Sequence, residues 1–311
     1  MFVIYFLVGF ILLYYGADFL VRGSSSIAVS FGVKKVVVGL TIVALGTSMP
    51  EFVVSFFAAL DRIDGISVGN IVGSNLANIL LVLGIATVIR PIDIKPRIFA
   101  VEIPVLLLIT SLFVFFCHDG NLVAYEGIIL FIIFIIYMSF IIANRHVQQI
   151  TNVEIQHLDT NHRIKNVLLT ILGLAGLVVG GQLTIKGAVG LAHVLGISEI
   201  VIGLTVVALG TSLPELFTSA VAVIKKEDEI SLGNIIGSNL FNTAFVLGLV
   251  PIFYPLKIDA RIISFDNYFM LGMTILLALF LIVGKRMSRL EGFLLLGLYA
   301  FYMLNLGFHF I

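Results

Sequence analysis

The sequence predicts an all-α membrane protein: ten transmembrane helices in two inverted five-helix repeats, helices 2 and 7 broken, both termini outside. Three observations carry this. Of 311 residues, 60% are hydrophobic and only 12% charged, whereas a soluble domain carries about 25% charged residues. Apolar runs near the length that crosses roughly 30 Å of hydrocarbon recur along the chain. Two motifs recur at one fixed spacing.

The ten runs cover residues 2–21, 36–60, 66–89, 98–117, 122–143, 167–185, 200–224, 230–250, 268–284 and 293–310. They are continuously apolar instead of alternating, which argues against a transmembrane β-barrel. The first run lacks the basic start and small-residue cleavage pattern of a signal peptide, so it is read as a retained span. Runs 3 and 8 are interrupted by Gly and Asn, and run 9 is short. With the N-terminus outside, only Arg62, Lys186, Lys257 and Arg261 of the eighteen Lys and Arg fall in outer loops, and this bias places both termini outside. The single Cys117 can form no intramolecular disulfide. A formal net charge of zero gives bulk electrostatics no handle on nucleic acid.

Residues 39–51 read GLTIVALGTSMPE and residues 203–215 read GLTVVALGTSLPE, identical at eleven of thirteen positions. GNIVGSNLAN at 69–78 and GNIIGSNLFN at 233–242 agree at eight of ten, with the same offset of 164. Gly16/Gly180, Gly23/Gly187 and Gly32/Gly196 keep that offset. A constant offset over such a distance indicates duplication. The unit holds five spans, an odd number, so the second copy enters the membrane from the other side, as in alternating-access transporters. The division is 1–143 for the first repeat, 144–163 for a polar cytoplasmic linker and 164–311 for the second repeat. No large regulatory domain fits in the linker.

Glu51 and Glu215 lie within apolar runs 2 and 7, where an ionised carboxylate costs roughly 3 kcal/mol on insertion scales. A protonated or hydrogen-bonded core glutamate is one reading; a pair of cation ligands near the midplane is the other. Pro50 and Pro214 precede them and should break the helix, because proline lacks an amide hydrogen and clashes with the carbonyl four residues back, at Gly46 and Gly210. Freed carbonyls in a membrane are tolerated only in protein or along a polar cavity. Thr47 and Ser48 share the face of Glu51, and Thr211 and Ser212 repeat this around Glu215. Ser74/Asn78 and Ser238/Asn242 add uncharged oxygens at i,i+4 spacing. Asn70, Asn75, Asn234 and Asn239 would instead cap broken backbone or link helices, and Gly69, Gly73, Gly233 and Gly237 would let helices approach. Carboxylate, hydroxyl, amide and backbone oxygen are the ligands of hard cations. Two carboxylates neutralise one calcium ion.

The paired blocks resemble the α-repeats of the sodium/calcium exchanger family within the cation/calcium antiporter group, of the prokaryotic type without a large cytoplasmic domain. The resemblance implies four cation sites between runs 2, 3, 7 and 8. Glu51, Glu215, Thr47 and Thr211 would hold calcium, the threonines through their carbonyls. One outer sodium site would use Glu51, Ala208, Thr211, Ser212 and Ser238, an inner one Glu215, Ala44, Thr47, Ser48 and Ser74, with Asn78 and Asn242 flanking a middle site. Prokaryotic relatives and potassium-dependent exchangers often carry aspartate where this chain has Asn242, whereas potassium-independent animal exchangers carry asparagine, which argues against potassium co-transport.

The implied activity is electrogenic exchange of sodium for calcium by alternating access in the cell membrane, with no cofactor, no enzymatic step and no need for an oligomer. Proton/calcium exchange is the runner-up, since a carboxylate pair binds protons as well. A passive channel fits an inverted duplication less well. An intramembrane hydrolase would need a base near Ser48 or Ser212, and all six histidines sit at run ends or in loops. Runs 1 and 6 repeat glycines but no ligand motif, so they are expected to slide as a gate, with Gly16, Gly23, Gly180 and Gly187 facing runs 2, 3, 7 and 8. Asp18, aligned with Gln182, reads as a gating residue or as an interfacial acid beside Arg22.

Overall fold

The computed structural model describes residues 1–95, 98–144, 160–194, 208–284 and 286–308. Its helices are α1 (Phe2–Ser30), α2 (Lys35–Thr47), α3 (Met49–Leu60), α4 (Asp64–Ile89), α5 (Ala100–Asp119), α6 (Ala124–Ala143), α7 (Thr160–Val194), α8 (Ala208–Thr211), α9 (Leu213–Ile224), α10 (Asp228–Phe253), α11 (Ile262–Ile282) and α12 (Arg289–Phe308). Among the described residues seven helices are long and apolar enough to cross a membrane, and an eighth span results if α2 and α3, bent by 46°, are taken together. The chain is thus an all-α, multi-span membrane protein. Residues 200–207 of the seventh apolar run and most of the linker at 144–163 lie outside the described residues.

α1 and α7 run furthest beyond their apolar runs. α1 continues through Ser24–Ser26 to Ser30. Ser24 Oγ donates to Val21 O at 3.3 Å and Ser30 Oγ to Ser26 O at 2.7 Å, so these hydroxyls are satisfied within the helix. Thr170 and Thr184 do the same in α7 with Asn166 O and Gly180 O. α11 starts before its predicted run, at Ile262, and carries the buried Asp266, paired with Arg261 at 3.4 Å.

α4 and α10 form the centre: 78% and 83% of their apolar windows are buried, against 33–39% for α1, α5, α6, α7 and α11. Residues around Gly233 and Gly237 of α10 lie against Val36–Ala44 of α2.

The glycines of α1 and α7 correct one expectation: they face each other and not the central helices. A Cβ on Gly16 would lie 2.8 Å from Leu177 N and 2.9 Å from Gly173 O, and one on Gly180 would lie 2.8 Å from Leu13 N and 2.9 Å from Gly9 O. Gly23 and Gly187 likewise abut the opposing helix. Backbones this close exclude any side chain, so α1 and α7 pack as a pair along their length.

Four two-residue strands join distant loops. β1 (Ile92–Asp93) pairs antiparallel with β4 (Arg286–Met287), and β2 (Asn121–Leu122) with β3 (Leu256–Lys257). Near these pairs Asp228 Oδ2 accepts Asp93 N at 3.2 Å, and Asp64 Oδ2 accepts Lys257 N at 3.1 Å. At one end of the bundle, ion pairs tie the α9–α10 connection to its surroundings. Asp18 is buried and bonded to Lys225 (2.5 Å) as well as Arg22 (2.9 Å). Glu227 accepts from Ser25 and Lys35 at 2.8 Å, and Asp228 pairs with Arg90. Asp18 is therefore more than a solvated interfacial acid.

Candidate cation-binding site

Both predicted breaks are local and alike. α2 ends at Thr47 and α3 begins at Met49, with Ser48 between them at φ −88°, ψ 5°; Ser212 stands between α8 and α9 at φ −86°, ψ 3°. Pro50 and Pro214 sit in the opening turns, where a missing N–H costs nothing. Glu51 and Glu215 follow in the first turns. The positive end of each half-helix favours a carboxylate there. Both are 0% exposed.

Two asparagines hold these half-helices. Asn70 Nδ2 donates to Glu51 O (3.2 Å) and Ser55 Oγ (3.0 Å). Asn234 Nδ2 donates to Glu215 O (3.4 Å) and Ser219 Oγ (3.0 Å). Both therefore bond main chain and a neighbouring hydroxyl. Asn234 Oδ1 also accepts from Thr47 Oγ1 at 3.0 Å, which links the second half to the first break.

The carboxylates gather hydroxyls. Ser74 Oγ donates to Glu51 Oε1 and Ser238 Oγ to Glu215 Oε1, each at 3.4 Å, so each of these serines bonds the glutamate of its own half. Ser48 crosses over and donates to Glu215 Oε1 at 2.9 Å. Ala44 and Thr211 are buried, and Ala208 opens α8. Asn78 and Asn242 pair crosswise with Asn239 and Asn75. Glu51 Oε2, Glu215 Oε2, Asn78 Oδ1, Asn242 Oδ1 and Ser212 Oγ are buried with no hydrogen-bond partner among the described residues.

An orphaned buried acceptor costs about 1–3 kcal/mol, and more when charged. Four unmet acceptors on two carboxylates and two amides form a set that hard cations satisfy. Among the described residues no group of three or more His, Cys, Asp and Glu could hold a metal; the uncharged oxygens beside the two carboxylates are those of hydroxyls, amides and main chain.

Sequence reasoning missed the backbone under the amides. Asn78 lies in a π-helical turn, Ala77–Val82, and Asn242 in another, Phe241–Val246. Such wide turns recur at functional sites. No breaker residue marks either one.

Comparison with known proteins places this geometry. The family model described as sodium/calcium exchanger protein matches residues 1–143 and 165–308. The putative antiporter CaxA of Alkalimonas amylolytica is 40% identical over 94% of both chains. The sodium/calcium exchanger MaX1 of Methanosarcina acetivorans is 32% identical, covering 96% of this chain and 97% of the relative. Solved structures of the sodium-calcium exchanger NCX_Mj superpose with a TM-score of 0.87 at 36% identity, over 98% of each chain. On the match of its fold and of nearly its full length, the chain belongs to the sodium/calcium exchanger family.

Proposed function

We propose that this protein is a secondary antiporter that exchanges sodium for calcium across the cell membrane by alternating access, with net movement of charge. The observation that carries the reading is the buried glutamate pair at two matched helix breaks, each with one oxygen hydrogen-bonded and the other bare. Two such charges balance one calcium ion. Sodium ions would occupy separate oxygen cages around the same pair, so the two cargoes compete for the same carboxylates and their fluxes are coupled. The first coordination shell is Glu51, Glu215, Thr47, Thr211, Ser48, Ser212, Ser74, Ser238, Ala44, Ala208, Asn78 and Asn242, the alanines and threonines through main-chain oxygens.

The frame for this site is a pair of inverted repeats, 1–143 and 164–311, joined by a cytoplasmic linker at 144–163, with ten spans and both termini outside. Support comes from bonds that repeat at the offset of 164: Asn70 with Glu51 and Ser55, Asn234 with Glu215 and Ser219. The Asp64–Lys257 and Asp228–Asp93 contacts exchange partners in the same way. One chain supplies the whole ligand set, so no oligomer is required.

The test is calcium uptake into proteoliposomes under an outward sodium gradient, compared with proton and potassium gradients. Sodium alone should drive uptake. Uptake that follows the proton gradient without sodium would replace this reading with proton/calcium exchange.

A further inference from the structure

A buried amide side chain serves a cation only if its oxygen, and not its NH2, faces the ion, and the two ends interchange by a half-turn with almost no change of shape. We infer that Asn239 and Asn75 are positioning residues that set which end of Asn78 and Asn242 faces the cation path, with the Asn78 setting fixed and the Asn242 setting made reversible by Thr243. This rests on the reading that Asn78 and Asn242 touch the cargo.

The first arm is pinned by the main chain. Asn239 Nδ2 donates to Asn75 O at 3.4 Å. A main-chain carbonyl can only accept, so the nitrogen end of Asn239 belongs there and its Oδ1 turns toward Asn78. That oxygen accepts from Asn78 Nδ2 at 3.0 Å. Asn78 Oδ1 is thereby turned away, buried and unmet.

The second arm has no such anchor. Asn242 Nδ2 donates to Asn75 Oδ1 at 3.2 Å, and Asn75 Nδ2 donates to Thr243 Oγ1 at 2.7 Å, with the weakly accepting Met270 sulfur at 3.7 Å. A hydroxyl donates as readily as it accepts. If Asn75 turns over, Thr243 can donate to its oxygen, and the Asn75 NH2 then meets residue 242. The matched position in the first half is Ile79, which has no polar atom. Asn75, Asn78, Asn239, Asn242 and Thr243 are all buried, so a lost partner leaves a buried polar group unmet.

The chemical consequence is one-sided tolerance of charge. A carboxylate at 242 would be met by the turned Asn75, relayed to Thr243. A carboxylate at 78 would face Asn239 Oδ1, and turning Asn239 would set its oxygen against the Asn75 carbonyl.

The experiment measures calcium KM and kcat for sodium-driven uptake in proteoliposomes, with melting temperatures recorded for every variant. N78D should have a calcium KM at least about tenfold above that of N242D, the scale of one misplaced buried hydrogen bond. T243V should raise the KM of N242D about tenfold more than it raises that of the Asn242 protein, add no such coupling to N78D, and be rescued by T243S. Equal behaviour of the two aspartate variants, or simple additivity of T243V, overturns the inference. Should N78D fail to fold, N239A answers the same question: it should raise KM when Asn78 is present and add nothing in N78A. Independent effects there overturn the fixed arm. If N78A and N242A change neither calcium KM nor sodium dependence, the site reading itself falls and takes this inference with it.

Discussion

Ser48 and Glu215, one at the first helix break and the other just beyond the second, meet at 2.9 Å, with Ser48 Oγ donating to Glu215 Oε1. Ser212, in the matching place, has a buried Oγ with no hydrogen-bond partner among the described residues. Among the described residues the two breaks share a backbone conformation but differ in wiring.

That difference predicts unequal costs. In buffer without sodium or calcium, Ser48→Ala should lower stability by about 1.5–3 kcal/mol, the range for a hydrogen bond to a charged group. Ser212→Ala should stay within about 0.5 kcal/mol. Unfolding in detergent measures both, and equal losses would refute the asymmetry.

Glu51→Gln and Glu215→Gln should each reduce calcium exchange at least about a hundredfold. One carboxylate leaves a divalent ion with uncompensated charge, and a charge pair near 4 Å is worth about 4 kcal/mol at an effective dielectric of 20. Melting temperatures in cation-free buffer should not fall, because a neutral amide is cheaper to bury than a carboxylate. Uptake near the wild-type rate in either variant would rule out the shared pair.

Exchange should move net charge. More than two sodium ions against one calcium exceeds two carboxylate charges, and each elementary charge crossing the membrane is worth about 2.3 kcal/mol per 100 mV. Uptake rates should therefore change when the potential is clamped with potassium and valinomycin. Flux indifferent to potential would mean electroneutral exchange.

Because α1 and α7 meet through glycine backbones, any gating movement should carry them as one body. A disulfide between engineered cysteines joining α1 to α7 should leave exchange within about twofold of the reduced protein. One joining α1 to α2 should stop it until reduced. Full exchange with a complete α1–α2 crosslink would exclude a moving gate.

The helix breaks and the glutamate pair were legible in the sequence because proline chemistry is local and the motif occurs twice. The partners of Gly16 and Gly180 were not, since a small residue shows that something approaches but not what. Likewise Asp18 shows its i,i+4 neighbour Arg22 in sequence, whereas Lys225 reaches it only through folding. The π-helical turns at Asn78 and Asn242 carry no residue signal, as an added residue in a helix is decided by packing. The amide relay through Asn75 and Thr243 depends on which end of each side chain finds a donor, and a letter code does not record that.

The paired strands bear on how the molecule is made. Ile92 has no partner until Met287 has been synthesised, and Leu122 none until Leu256. The first half must therefore wait in the bilayer with two loop edges unpaired and with Ser48 still lacking the carboxylate of Glu215. The pairing of Ile92 with Met287 can close only once the last of these four loop strands has been made.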